Sequence, residues 1–170
     1  MISNRKISKE IIAGIKVFFA DVDGTLTDGC TYYSDKGEEL KKFNHKDGRG
    51  NYLLRKNKIK FGIITGENTE IVSRRAEKLN TDYCFLGIDN KMNLLESFCS
   101  EHGLSLEEIA FIGDDTNDMG IIQNVGLSFA VNDSMPSIKE SAHYICTRKG
   151  GDGAFREAVD FIINSIQKNN

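Results

Sequence analysis

The chain has 170 residues, enough for one domain built on a single sizeable core. Its 22 basic and 25 acidic residues leave a net charge of -3, without the basic field that nucleic-acid binding needs. No apolar run approaches the ~20 residues of a membrane span, and the opening MISNRKISKEII alternates polar and apolar residues without a signal-peptide core, so a cytoplasmic protein with neither a nucleic-acid nor a membrane partner is expected.

In chain order, KVFFA (16–20) is the first strand candidate. Residues 24–47 follow, with CTYY, SDKGE and ELKKF forming a β-hairpin that turns near Lys36-Gly37. The insertion occupies about 28–45. GNYLLRKN (50–57) is a helix, KFGIIT (60–65) a strand, and TEIVSRRAEKLN (69–80) a helix with Ile71, Val72, Ala76 and Leu79 on one face. YCFL (83–86) is a strand, and KMNLLESFCSEHG (91–103) a helix closed by Gly103. IAFI (109–112), LSFAV (127–131) and HYICT (143–147) are strands, with short helices in DMGIIQNVG and SMPSIKESA. GAFREAVDFIINSIQ (153–167) is the last helix. Continuous apolar strands alternating with helices indicate a mostly parallel sheet covered on both faces, a Rossmann-like three-layer α/β/α domain over 1–170 with no large cap. The four cysteines show no metal-ligand spacing, and Cys84 and Cys146 lie in apolar runs that suit core residues.

The chemistry gathers at the strand ends. The first strand runs into Asp21 and Asp23, the second ends at Thr65 and Gly66, and the fourth runs into Asp114, Asp115 and Asp118. Lys91 opens the helix after the third. In a parallel sheet these residues converge on one crevice at the carboxyl edge. So many carboxylates cannot all be ionised without a cation, and Mg2+ is the hard, oxygen-seeking partner. Acids, a hydroxyl, a lysine and a metal together suit a phosphoryl group, with a carboxylate able to act as nucleophile. Singly, each feature has a plainer explanation: Asp21 and Asp23 a turn, Lys91 a solvated surface lysine, GDDTND an N-cap cluster. Their order along the chain separates the two accounts.

DVDGT, IITG, Lys91 and GDDTND resemble the four ordered motifs of the haloacid dehalogenase superfamily of phosphatases. The resemblance implies that Asp21 is the nucleophile that forms an aspartyl-phosphate and Asp23 the general acid and base. It implies that Thr65 and Lys91 hold the phosphoryl oxygens, and that Asp21, the main-chain carbonyl of Asp23, and Asp114 hold Mg2+, with Asp115 or Asp118 in support. A response-regulator receiver, a non-catalytic phospho-acceptor module, also gathers acids, Thr and Lys at a sheet edge, but in a different order and without DxDGT.

The short insertion, FNHKDGRG, ITGENTEIVSRRAEKL and RKGGDGAFREAV are similar to the cap-less branch of that superfamily. That branch acts on 3-deoxy-octulosonate 8-phosphate or nonulosonate 9-phosphates. It implies a homotetramer whose neighbouring subunits cover each other's sites, with hairpin 30–43 as the contact. The octulosonate branch typically places Arg two residues after the motif Thr, where this chain has Glu67. A hydroxyl-accepting Glu in place of a carboxylate-pairing Arg points to a nine-carbon 2-keto-3-deoxy sugar acid phosphate, with the eight-carbon compound as the alternative. By the same resemblance, Arg75 and Lys78 join Thr65, Gly66, Glu67 and Lys91 in holding the substrate, with Arg75 and Lys78 on the sugar acid's carboxylate in their own or a neighbouring subunit's site. His45 is given no role, and KGGDG (149–153) is either a flexible loop or a cover over a neighbour's site.

Overall fold

Val17–Ala20 forms β1, the hub of the sheet in the computed structural model, which describes residues 7–167. The first six residues of the stretch read for a leader lie outside the described residues. β1 pairs in parallel with β4 (Lys60–Ile64) on one side and β6 (Ile109–Gly113) on the other. With β5 (Tyr83–Phe85), β7 (Leu127–Ala130) and β8 (Tyr144–Ile145), the order is β5-β4-β1-β6-β7-β8, parallel throughout. All four residues of β1 are buried, because helices cover both faces.

The apolar run of β1 divides by its two-residue period. Phe18 and Ala20 face the layer containing α1 (Lys9–Gly14), α2 (His45–Lys56), α3 (Glu70–Leu79) and α7 (Ala154–Gln167). There Phe155 of α7 packs against Phe18 and Phe61, with ring centroids 5.1 and 4.6 Å away. Val17 and Phe19 face α4 (Lys91–His102), α5 (Met119–Asn124) and α6 (Pro136–Ser141), and Phe98 of α4 meets Phe19 edge-on at 5.1 Å. Each fully buried Phe contributes about 1.5–3 kcal/mol relative to exposure. The three-layer α/β/α expectation is met.

The hairpin is β2 (Thr27–Ser34) and β3 (Gly37–Phe43), an antiparallel pair standing off the sheet between β1 and α2. It is the whole insertion at this point, so no large cap covers the carboxyl edge. The strand expectations hold, while three local ones do not. First, α2 begins at His45 rather than Gly50: Asn44 caps it by accepting from the Lys46 N–H at 2.9 Å. Gly48 and Gly50 weaken the helical signal, but Gly50 lies so close to Phe155 that a Cβ there would approach its ring to 3.0 Å. Second, Lys9–Gly14 is a helix that alternation concealed, capped by Ser8 and anchored by buried Ile12. Third, Cys84 is exposed, not core, because β5 is the edge strand and only Tyr83 and Phe85 turn toward Phe98. Cys146 is buried as expected.

Candidate active site

A cavity of about 350 Å³ opens at the carboxyl edge, lined on the sheet side by Asp21, Asp23, Thr65, Gly66, Glu67, Asp114 and Asp115. Asp21 follows β1 directly, and its N–H donates to the Ile112 carbonyl at 3.0 Å, which ties the β1 exit to β6. Asp114 follows β6. Thr25 donates to Asp114 Oδ1 at 3.1 Å, closing the DVDGT loop onto the second acidic cluster. Gly24 makes that closure possible. Its φ is +85°, and a Cβ would lie 2.0 Å from Asp114 Oδ2.

Lys91, the first residue of α4, is almost wholly buried beneath Asp21. Its Nζ donates to Asp21 Oδ1 at 2.5 Å and to Asp118 Oδ1 at 2.7 Å. Asp118 also accepts from the Asp114 N–H at 3.1 Å. Burial and the neighbouring Asp118 charge raise Asp21 well above the usual carboxylate range, against the pull of Lys91. Burial likewise raises Asp118, and burial with Asp118 pushes Asp114 up to about 6. Burial opposes the Lys91 charge, yet Asp21 and Asp118 more than offset it and hold the ammonium above the ordinary lysine value. The site is therefore rich in buried negative charge with one lysine to balance it.

Carboxylate oxygens of Asp21, Asp114 and Asp118 lie within 4.8 Å of one another. Three hard oxygen donors, each raised by burial, fit a small divalent cation, which would favour all three in the ionised form. This trio keeps Asp21 and Asp114 of the expected metal set and adds the carboxylate of Asp118. Asp118, expected only in support, is buried at the centre, while Asp115 sits on the exposed rim and caps the turn Thr116–Asp118 by accepting from the Thr116 N–H at 2.6 Å. The Asp23 carboxylate turns away from the acids, toward the hairpin.

There it meets a residue that sequence reasoning missed. Lys41 of β3 donates to both Asp23 oxygens at 2.8 Å, and its side chain is only 2% exposed. Burial disfavours the Lys41 ammonium, but Asp23 outweighs it and the lysine is held above its ordinary value. Thr31, Tyr33, Glu38 and Lys41 form the hairpin wall of the cavity. The one available signal was β alternation: in ELKKF, Leu40 and Lys41 must face opposite ways.

Thr65 is buried, and its hydroxyl accepts from the Glu67 N–H at 3.2 Å. Gly66 and Glu67 line the cavity, but Arg75 and Lys78 do not. Arg75 donates to the Asn44 carbonyl at 2.8 Å and stacks over Phe43, 5.1 Å from its centroid. Lys78 is exposed in the last turn of α3. Within its own chain, α3 turns both cations away from the cavity, so the substrate-binding expectation for them is not met there. In KGGDG the three glycines are buried while Lys149 and Asp152 remain exposed. Gly151 N–H donates to the Thr25 carbonyl at 3.1 Å, and a Cβ on Gly150 would fall 1.8 Å from the Gly24 carbonyl, so the loop wedges directly behind DVDGT.

Similarity to known proteins now bears on this geometry. A profile of haloacid dehalogenase-like hydrolases matches residues 87–157. The 3-deoxy-D-manno-octulosonate 8-phosphate phosphatase of Yersinia pestis is 38% identical over 92% of this chain and 83% of its own length. The chain belongs to the haloacid dehalogenase-like hydrolases. The same-named phosphatase of Escherichia coli K12 is 35% identical over 92% of this chain and 85% of that protein. The crystal structure of the Moraxella catarrhalis phosphatase, in complex with magnesium, phosphate and the sugar acid KDO, superposes with a TM-score of 0.90 at 33% identity, covering 94% of this chain and 92% of that one. Like these hydrolases, the chain is a phosphatase, which sets the receiver alternative aside. None of its described helices is long and apolar enough to cross a membrane.

Proposed function

We propose that the protein is a Mg2+-dependent phosphatase of 2-keto-3-deoxy sugar acids, with 3-deoxy-D-manno-octulosonate 8-phosphate as its substrate. One observation carries the reading: Asp21, paired to Lys91 and facing Asp114 and Asp118, lines an open cavity beside Thr65. Identities of 38% and 35% to octulosonate phosphatases support the eight-carbon compound over the nine-carbon acid expected from Glu67. The nine-carbon acid remains the second reading because Glu67 does line the cavity.

In this reading an Asp21 oxygen attacks phosphorus as the bond to the sugar oxygen breaks. The departing oxygen takes its electron pair and a proton from the Asp23 carboxyl. Water then attacks phosphorus, the Asp23 carboxylate takes its proton, and the Asp21–phosphorus bond breaks to release inorganic phosphate. Thr65, the Gly66 N–H and the remaining N–H of Lys91 hold the phosphoryl oxygens. Asp21, Asp114 and Asp118, with the main-chain carbonyl of Asp23, would hold Mg2+, which would supply positive charge to offset that of the phosphoryl group. The outer hairpin face, with Tyr32 59% and Leu40 62% exposed, suits contact with further copies of the chain in a homotetramer.

The test is Mg2+-dependent phosphate release from the eight-carbon 8-phosphate and the nine-carbon 9-phosphate, with Asp21→Asn as control. A tenfold preference in kcat/KM for the eight-carbon ester, about 1.4 kcal/mol, supports the main reading. The reverse preference favours the nine-carbon reading, and release from neither ester, or full turnover by Asp21→Asn, overturns both.

A further inference from the structure

The hairpin brings one charged group into the site that the reaction just described does not use. Lys41 comes from β3, opposite Thr31 of β2, and its buried ammonium spans both oxygens of Asp23. Its second acid neighbour is Glu38, one oxygen of which lies 3.5 Å from Nζ. That oxygen is buried and has no hydrogen-bond partner. Glu38, Lys41 and Asp23 all line the cavity that holds Asp21. Asp23 has little else to orient it: the Thr27 hydroxyl is a long 3.4 Å from Oδ1.

A carboxyl that delivers a proton carries it on one oxygen, and that oxygen is a poor acceptor for an ammonium, so Lys41 cannot hold both oxygens while Asp23 acts as the acid. An ammonium carries three donors on a flexible stem, so it can turn to a second acceptor without leaving its pocket. We propose that Lys41 is a positioning residue for the phosphatase reaction. Held in the hairpin, it fixes the Asp23 carboxylate over the cavity and frees one Asp23 oxygen for the substrate by shifting a donor to Glu38. The hairpin then does more than wall the cavity: it orients the group that exchanges protons with substrate. This inference rests on the phosphatase reading and on the acid–base role of Asp23.

The experiment compares two esters that differ in their need for a proton. A sugar acid phosphate has a poor alkoxide leaving group, whereas the p-nitrophenolate of p-nitrophenyl phosphate leaves without a proton. With Mg2+ present, Lys41→Met should lower kcat/KM, which reports only the steps up to departure of the sugar oxygen or the p-nitrophenolate, by about ten- to a hundredfold on the sugar acid phosphate and by less than about threefold on the aryl ester. Lys41→Arg should restore part of the loss. In an Asp23→Asn background, Lys41→Met should cost nothing further, since the carboxylate it positions is gone. Equal losses in kcat/KM on both esters, or losses that add in full to those of Asp23→Asn, would mean that Lys41 only secures the hairpin, and the proposal falls. If Asp23→Asn alone leaves the sugar acid phosphate unaffected, the acid–base role fails and takes the proposal with it. If wild-type protein releases phosphate from neither ester, the phosphatase reading itself has failed.

Discussion

Two lysines serve two aspartates in this protein, and they do so on opposite terms. Lys91 sits at the sheet edge with both of its partners buried: the Asp21 side chain is 7% exposed and that of Asp118 is 0%. Lys41 sits in the hairpin, equally buried, but its partner Asp23 is 31% exposed. At the sheet edge, apolar strands point inward and the polar residues appear where the strands end. In the hairpin the pattern inverts: Leu40 faces out and Lys41 in, because the inner face covers a polar cavity rather than a core. Buried lysines thus have different meanings, one completing a closed charge cluster and the other held against a group that solvent and substrate can reach.

The comparison breaks most sharply at Lys91. Lys91→Met leaves two buried carboxylates without their counter-ion and should cost about 3–5 kcal/mol in urea unfolding. Lys41→Met leaves a partly solvated carboxylate and should cost about 1 kcal/mol. Equal losses would mean that the two clusters are energetically alike, against their difference in burial.

A second effect lies just past the hairpin. Burial raises Asp47 to about 6, against the hydrogen bond it accepts from the Arg156 N–H at 3.1 Å. An acid whose folded pKa is raised favours folding while protonated, so that stabilisation is present below the unfolded value near 3.8 and is lost as pH rises through about 6. The change is about 3 kcal/mol at 1.36 kcal/mol per unit. Asp47→Asn keeps an acceptor for Arg156 and should flatten the fall in stability between pH 4 and 6 relative to wild type. Saturating Mg2+ should shift the contribution of the acids at the sheet edge but leave this difference between Asp47→Asn and wild type in place. Chemical denaturation across that pH range checks both.

Gly150→Ala tests the wedge behind the DVDGT loop. The added methyl has no room against the Gly24 carbonyl, so one of the two loops must shift, at about 1–3 kcal/mol. Activity should fall by more than the loss of folded protein explains, because the loop carries Asp21 and Asp23. A melting temperature and rate both at wild-type values would show that the loops have slack. The smallest effect belongs to the outer hairpin face. Leu40→Ser should change protomer stability by no more than about 0.5 kcal/mol, yet lower the assembled mass measured by sedimentation. An unchanged mass would remove this face from the assembly.

How much of this was legible follows from the physics of each element. The strand ends could be read because parallel strands covered on both faces must be apolar throughout, so the first polar residue after a run marks the carboxyl edge. That placed Asp21, Thr65 and Asp114 at the edge, and the order of the motifs singled out Lys91. Asp115 and Asp118 could not be told apart, since only the turn Thr116–Asp118 buries one and leaves the other at the surface. Arg75 looked available for substrate because sequence shows a helix face but not what that face meets, here Asn44 and Phe43. Glu67 does line the cavity, as its place two residues after Thr65 implied.

The sequence by itself determined the layers, the catalytic edge and the class of chemistry, because each is written in local periodicity and in residue types at strand ends. Tertiary structure alone decided which acids share the buried cluster, that KGGDG locks behind DVDGT, and that Lys41 turns inward to Asp23. These depend on contacts between residues far apart in the chain, and no local pattern encodes a neighbour that folding has yet to bring near.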